Sequence, residues 1–228
     1  MWYWYCLVAM LYALLASGAG RDRPGEHGDP PPLLPLRCSE AGAARAWNAG
    51  LALFSALGVA HLVPLLVDQL RRRSVADLLC DASYWIDDPW ALAFVLSKVV
   101  ELGDTLLLLS RGKPLSFLHV YHHSSVLVFS AHAYEVRNPA GIWYMVLNLM
   151  VHALMYTYYC APRALRWLAP YLTLLQIQQM VVGGVVAASS LLLCDGQTRS
   201  VAASNALGIG LYGSYLLLFG RYFCRRYM

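Results

Sequence analysis

The chain has 228 residues, 59% of them hydrophobic and only 13% charged, with a mean hydropathy of +0.49 and a formal charge of +4. A soluble globular domain would carry about 25% charged residues, and disorder needs low hydrophobicity with high charge, so both classes are excluded. The mild positive balance lacks the basic stripe of a nucleic-acid surface and suits loops facing an anionic leaflet, so no nucleic-acid partner is expected. What remains is a membrane protein: seven crossings of about 20 residues each leave about 88 for loops and ends, with no room for a soluble domain. The expected fold class is all-α, a polytopic bundle of seven transmembrane helices forming one domain over residues 1–228.

The first apolar run, Trp2 to Ala19, lacks the basic n-region of a signal peptide and opens on Trp2, Tyr3, Trp4 and Tyr5, an interfacial anchor; it reads as a span. Residues 20–46 collect Gly, Pro and charge and read as an irregular loop. Six further runs follow, at about Trp47–Leu70, Trp90–Leu109, Leu115–Val136, Ile142–Tyr159, Trp167–Leu193 and Val201–Phe223. Counting Lys and Arg on alternate sides gives eleven on the side of the C-terminus and five opposite, which puts the C-terminus in the cytosol. Arg71, Arg72 and Arg73 fall on the other side, and a segment from Leu70 to Leu79 lying along the interface, its arginines toward the headgroups, accommodates them.

None of the six cysteines forms a CxxC pair, so zinc and thioredoxin-like chemistry have no support. Cys80 and Cys194 both fall in non-cytosolic loops, in similar settings (Leu79-Cys80-Asp81 and Leu193-Cys194-Asp195). In an oxidising lumen they could pair, or they could be two separate small residues near span ends.

Ionisable groups at bilayer depth are functional candidates, and here they fall in consecutive spans. The third carries Lys98, Glu101 and Asp104 at three-residue steps, on one drifting helix face with Ser97 and Thr105 beside it. The fourth opens Phe117-Leu118-His119-Val120-Tyr121-His122-His123, with His132 further on. In the fifth, Asn148, His152 and Tyr156 stand four apart, followed by Tyr159, and in the sixth Thr173, Gln176 and Gln179 stand three apart. Each row alone could be interhelical glue. Four together describe a polar chamber in an apolar bundle, since packing rarely needs so many buried polar groups. Two histidines on one helix can divide labour between nucleophile and orienting partner, and a carboxylate such as Asp104 can set a histidine's tautomer. A di-iron site would need several histidine boxes, whereas this chain has seven histidines, with His27 in a loop and His61 alone in the second span; no metal is expected. No GxSxG supports a hydrolase. A transporter would break its helices with Gly or Pro at the site, and the histidine rows sit in unbroken apolar runs.

Ser97-Lys98-Val99-Val100-Glu101-Leu102-Gly103-Asp104-Thr105, followed by the His119 to His123 box, resembles the signature of the ELO family of very-long-chain fatty acid elongases. Trp47-Asn48 with Leu51 and Phe54-Ser55, the run from Asn148 to Tyr159 (NxxxHxxMYxYY) and Thr173 to Gln179 (TxxQxxQ) match the family's other motifs in order and spacing. ELGDT and the CD dipeptide before the third span look most like the subgroup acting on saturated and monounsaturated chains. The resemblance implies residues 1–46 as first span and loop, and residues 47–224 as a six-helix catalytic barrel enclosing an acyl tunnel. It implies an endoplasmic reticulum membrane protein, N-terminus lumenal and C-terminus cytosolic, that joins acyl-CoA and malonyl-CoA to give 3-oxoacyl-CoA, CO2 and CoA, with no bound cofactor. His122 would accept the acyl group as an acyl-imidazole, His152 would be its partner, and His119, His123 and Asp104 would orient and polarise. Lys98, Glu101, Arg111, Asn148, Tyr156, Gln176 and Gln179 are the implied substrate contacts. The family also implies a Cys80–Cys194 disulfide, membrane lipid around the bundle and a homo-oligomer. Its further implied partners are the 3-ketoacyl-CoA reductase, 3-hydroxyacyl-CoA dehydratase and enoyl-CoA reductase of the cycle. An inactive scaffold would lack part of the motif set, and every motif histidine is present. Arg225-Arg226 near the end is a weak substitute for the family's lysine-rich retrieval signal.

Overall fold

In a computed structural model of the chain, residues 5, 6, 8–13 and 40–228 are described. The expected first span lies largely outside them, with its described residues helical, and the loop at 20–39 lies wholly outside. The regular structure of the described residues is helical throughout. The elements from Glu40 onward are α1 (Glu40–Arg72), α2 (Val75–Cys80), α3 (Pro89–Val100), α4 (Gly103–Ser110), α5 (Phe117–Glu135), α6 (Gly141–Cys160), a 3-10 turn (Arg166–Leu168), α7 (Ala169–Leu193) and α8 (Arg199–Tyr227). Among the described residues three stretches are long and apolar enough to cross a membrane, Gly42–Arg72, Arg166–Leu193 and Arg199–Tyr227.

Local chemistry sets the helix ends. Asp88 caps α3 by accepting from the Trp90 N–H, with Pro89 in the first turn where its missing donor costs nothing. Ser116 caps α5 through the His119 N–H and Thr198 caps α8 through the Val201 N–H. Two boundaries differ from the sequence reading. α1 begins at Glu40 rather than at Trp47, because Glu-Ala-Gly-Ala-Ala-Arg-Ala is rich in strong helix formers whatever its polarity. The run Trp90–Leu109 is two helices, broken at Glu101 and Leu102, where the Asp104 N–H bonds the Glu101 carbonyl and the Thr105 N–H bonds that of Leu102.

The segment expected to lie along the interface is not continuous either. α1 runs to Arg72, and Ser74 then opens α2 with a reciprocal cap to Asp77. Arg72 pairs with Asp68 at 2.9 Å and Arg73 with Asp81 at 2.7 Å, so two of the three arginines are neutralised by the chain itself. The Ser74 hydroxyl, then its N–H, hold the Asp77 carboxyl below its ordinary value. Partial burial pushes Asp81 up, but the Ser83 N–H, Arg73 and the Ser83 hydroxyl outweigh it and leave that carboxyl lowered as well.

Neighbouring helices pack in the order α3, α5, α8, α7, α6, α1. α1 returns to the start of α3 through Phe54 on Trp90, with centroids 5.2 Å apart, and through His61 bonded to Asp88 at 2.7 Å. Around an apolar interior that includes Leu62, Leu78, Ile142 and Leu149, the surface is apolar too, and several polar groups are enclosed. Leu53, Leu106, Leu192 and Leu217 are exposed, whereas Lys98, Glu101, Asn148, His152 and Gln179 are buried. An outer apolar surface costs nothing against lipid chains that are as apolar as leucine. Cys80, ending α2, is bonded to Cys194, which follows α7, with Cα atoms 5.3 Å apart. Beside this bond Ser190 donates to the Leu79 carbonyl, and Asn205 bridges Ser190 to Asn138.

Candidate active site

The Ser116 cap fixes where α5 starts, and therefore which way its first two turns face. His119, His122 and His123 then share one side: the His119 and His123 rings lie 4.3 Å apart and those of His122 and His123 5.6 Å. The His119 Nε2 is 2.8 Å from the Thr105 hydroxyl, which also meets the Tyr12 hydroxyl at 2.6 Å. His122 packs on Tyr215 at 5.0 Å, and Tyr215 in turn shares a hydrogen bond with Ser125. No described residue hydrogen-bonds the ring nitrogens of His122.

Four-residue steps put Asn148, His152 and Tyr156 on one face of α6. The Asn148 amide nitrogen lies 3.1 Å from the His152 Nε2, and the His152 and Tyr156 rings meet edge-on at 5.4 Å. Across from them, the Asp104 carboxylate accepts from the Trp47 indole at 2.7 Å and the Tyr156 hydroxyl at 2.8 Å. Gly103 makes that clamp possible, because a Cβ there would come 2.5 Å from the Trp47 ring. On α7, Gln176 donates to the Met155 sulfur at 3.4 Å.

Two cavities meet here. The larger, about 980 Å³, is lined from α1, α4, α5, α6, α7 and α8. It receives His119, His122, His123, Asp104, Asn148 and His152, together with Tyr156, Gln176, Gln179 and Arg111. The smaller, about 50 Å³, is apolar and aromatic, lined by Trp85, Phe94, Phe129, Tyr144 and Tyr212 among others. His122, Asn148, Gln179 and Met180 line both. Of the expected substrate contacts, Lys98 and Glu101 are not in either lining. They lie buried behind Asn148 and His152, with the Lys98 Nζ 2.6 Å from the Glu101 Oε1 and 2.7 Å from the Asn148 Oδ1. The Cys80–Cys194 bond is among neither set of lining residues.

Several contributors were not singled out as site residues in the sequence. Trp47 entered only as part of a motif, although a tryptophan at the start of a span can carry its N–H inward as well as to an interface. Tyr212 and Tyr215 signal themselves as polar interruptions of the last apolar run. Arg221, Arg225 and Arg226 also line the larger cavity. In the sequence they counted only toward orientation and retrieval.

Comparison with known proteins identifies a family for the sequence. The ELO (GNS1/SUR4) family model matches residues 2–228. The chain is 37% identical over 194 residues to very long chain fatty acid elongase 6 of Drosophila melanogaster, covering 80% of this chain and 61% of that protein. It is 36% identical over 191 residues to human very long chain fatty acid elongase 3, covering 80% and 70%. Against fatty acid elongase 1 of Trypanosoma brucei brucei it is 38% identical over 197 residues, covering 80% and 65%. The aligned part thus spans less than two thirds of the fly relative's length. With a family model matched along nearly its whole length, the chain belongs to the ELO family, whose curated relatives are named fatty acid elongases.

Proposed function

We propose that this protein catalyses the condensing step of fatty acid elongation, acyl-CoA plus malonyl-CoA giving 3-oxoacyl-CoA, CO2 and CoA. The observation that carries the reading is the position of His122, in the lining shared by a large polar cavity and a small aromatic one. An acyl-CoA has the same two-part character: an apolar tail for the aromatic compartment and a polar, anionic carrier for the larger one, where Arg111, Arg221, Arg225 and Arg226 suit its phosphates.

In this scheme an unprotonated ring nitrogen of His122 attacks the thioester carbonyl and the carrier leaves as CoA, taking up the proton. Malonyl-CoA then loses CO2, the resulting enolate carbon attacks the acyl-imidazole, and the expelled imidazolate of His122 takes up one proton from water by way of His152, releasing 3-oxoacyl-CoA and neutral His122. The negative oxygen formed in each half falls among the buried donors of the chamber. His152 is the proton-handling partner, with His119, His123 and Asp104 orienting. Gln176 and Gln179 are the donors for the thioester end, Tyr156 is a contact beside them with its hydroxyl proton held by Asp104, and no metal or other cofactor takes part. The surrounding fold is proposed as seven spans, six enclosing an acyl tunnel, in the endoplasmic reticulum membrane with the C-terminus cytosolic. α5 and α6, at 19 and 20 residues, have the length of one crossing each. The reductases and dehydratase of the cycle are the proposed partners, and self-association of the chain is proposed beside them.

The test is purified protein in detergent with palmitoyl-CoA and labelled malonyl-CoA, read by mass spectrometry. The expected result is 3-oxoacyl-CoA, together with a palmitoyl adduct on a His122 peptide when malonyl-CoA is withheld. His122→Ala should abolish both, and full activity in that variant would remove the nucleophile assignment.

A further inference from the structure

The two buried charges outside both cavities do not touch the space where substrate would lie, yet they converge on a side chain that does. Lys98 is 1% exposed and Glu101 4%. The Lys98 ammonium can only donate, and it does so to the Glu101 Oε1 at 2.6 Å and to the Asn148 Oδ1 at 2.7 Å. That second bond settles which end of the Asn148 amide is oxygen. The nitrogen end therefore faces the His152 Nε2 at 3.1 Å, and an amide nitrogen can only donate. The ring nitrogen opposite it must offer its lone pair, so the ring proton sits on Nδ1. That nitrogen faces the Glu101 Oε1 at 3.6 Å, where a carboxylate favours a proton. Glu101, Lys98, Asn148 and His152 are thus joined in that order by three hydrogen bonds, and the His152 Nδ1 comes back to 3.6 Å from the Glu101 carboxylate.

We propose that Lys98 and Asn148 are positioning residues that fix His152 as the Nδ1-protonated tautomer, with Nε2 as its basic end, whose lone pair takes a proton in exchange for the Asn148 N–H. The role of that basic end in condensation rests on the function proposed above; the tautomer itself does not. The arrangement gives the lysine a reason to be buried where it cannot reach substrate: an uncharged residue at 98 would leave the Asn148 amide free to turn over. Either ring nitrogen of His152 could then carry the proton.

The test is nitrogen NMR of the full chain in detergent, labelled with 15N-histidine and without substrate, the His152 signals being identified by their loss in His152→Gln. The expected spectrum shows a protonated Nδ1 and an unprotonated Nε2. In Asn148→Asp both side-chain oxygens are acceptors, so a proton should appear on Nε2. Lys98→Met combined with Glu101→Gln, which removes both buried charges at once, should show both tautomers. In parallel, Asn148→Asp should lower kcat by about 10²-fold, the scale of one acid–base contribution, with the KM for palmitoyl-CoA retained. A wild-type spectrum with the proton on Nε2 overturns the inference even if the Asn148 and Lys98 variants fail to fold. A tautomer change in Asn148→Asp without loss of kcat overturns the positioning role. A wild-type protein inactive with malonyl-CoA but carrying the Nδ1 proton would remove the proposed reaction and leave this inference standing.

Discussion

Single residues in this bundle matter through the company they keep inside an apolar solvent. Removing Lys98 alone by Lys98→Met strands the Glu101 carboxylate at 4% exposure, and breaking one side of a buried pair costs about 3–5 kcal/mol. Thermal unfolding in detergent should show that loss, and Lys98→Met with Glu101→Gln should recover most of it. The aromatic compartment responds in the other direction. Trp85 is seated on Gly141, where a Cβ would come 2.4 Å from the indole, and Tyr212 is seated in the same way on Gly183. Trp85→Ala should therefore deepen the apolar space and shift product toward longer chains in an acyl-CoA series. Gly141→Ala should drive the indole inward, costing about 1–3 kcal/mol of stability and shortening the longest substrate accepted.

At the scale of elements, the apolar runs were legible because span length and composition are nearly the only requirements a bilayer imposes. The break at Glu101 and Leu102 was not. Lys98, Glu101 and Asp104 stand three apart, which reads as one helix face, and nothing local says that the ladder tightens to three-residue bonds at the second of them. The consequence is functional, since the turn sends Lys98 and Glu101 behind Asn148 while Asp104 reaches the cavity beside Trp47 and Tyr156. The sharing of one side by His119, His122 and His123, by contrast, follows from their spacing alone, because all three lie within a single helix. Partners far apart in sequence, such as Asn138 with Asn205, leave no mark in either stretch alone.

The connection from α1 to α3 has its own pH signature. Asp77 and Asp81 both titrate below the ordinary value of 3.8. A carboxyl lowered on folding adds stability that is complete above the unfolded value and is lost as pH falls through the folded one. Hydrogen exchange of residues 74–88 should thus be unaffected by these two groups between pH 5 and 8. Its protection should fall only below 3.8, with Asp77→Asn abolishing part of that response.

On the scale of the whole molecule, the Cys80–Cys194 bond closes a stretch with a sequence separation of 114 and spans the break, the histidine box and the Asn148–Tyr156 face. Constraining an unfolded loop of that size is worth roughly 4–5 kcal/mol in the chain-entropy description, with about 2–5 kcal/mol usual for native bonds. Cys80→Ser or Cys194→Ser should lower the unfolding midpoint accordingly, whereas replacing Cys224, which is free and exposed, should leave it unchanged.

The same bond also imposes a schedule on biosynthesis. Cys80 is made long before its partner, and at about 5–20 residues per second the intervening 114 residues take roughly 6–23 s to synthesise. Throughout that interval Cys80 is a thiol waiting in a nascent chain, with Cys160 the next cysteine to be made. Closure must await the end of α7, by which time every histidine of the candidate site has been translated. Oxidation thus follows completion of α7 and can precede α8, and pulse-labelled chains trapped with a thiol-alkylating reagent should show it only after Cys194 has left the ribosome.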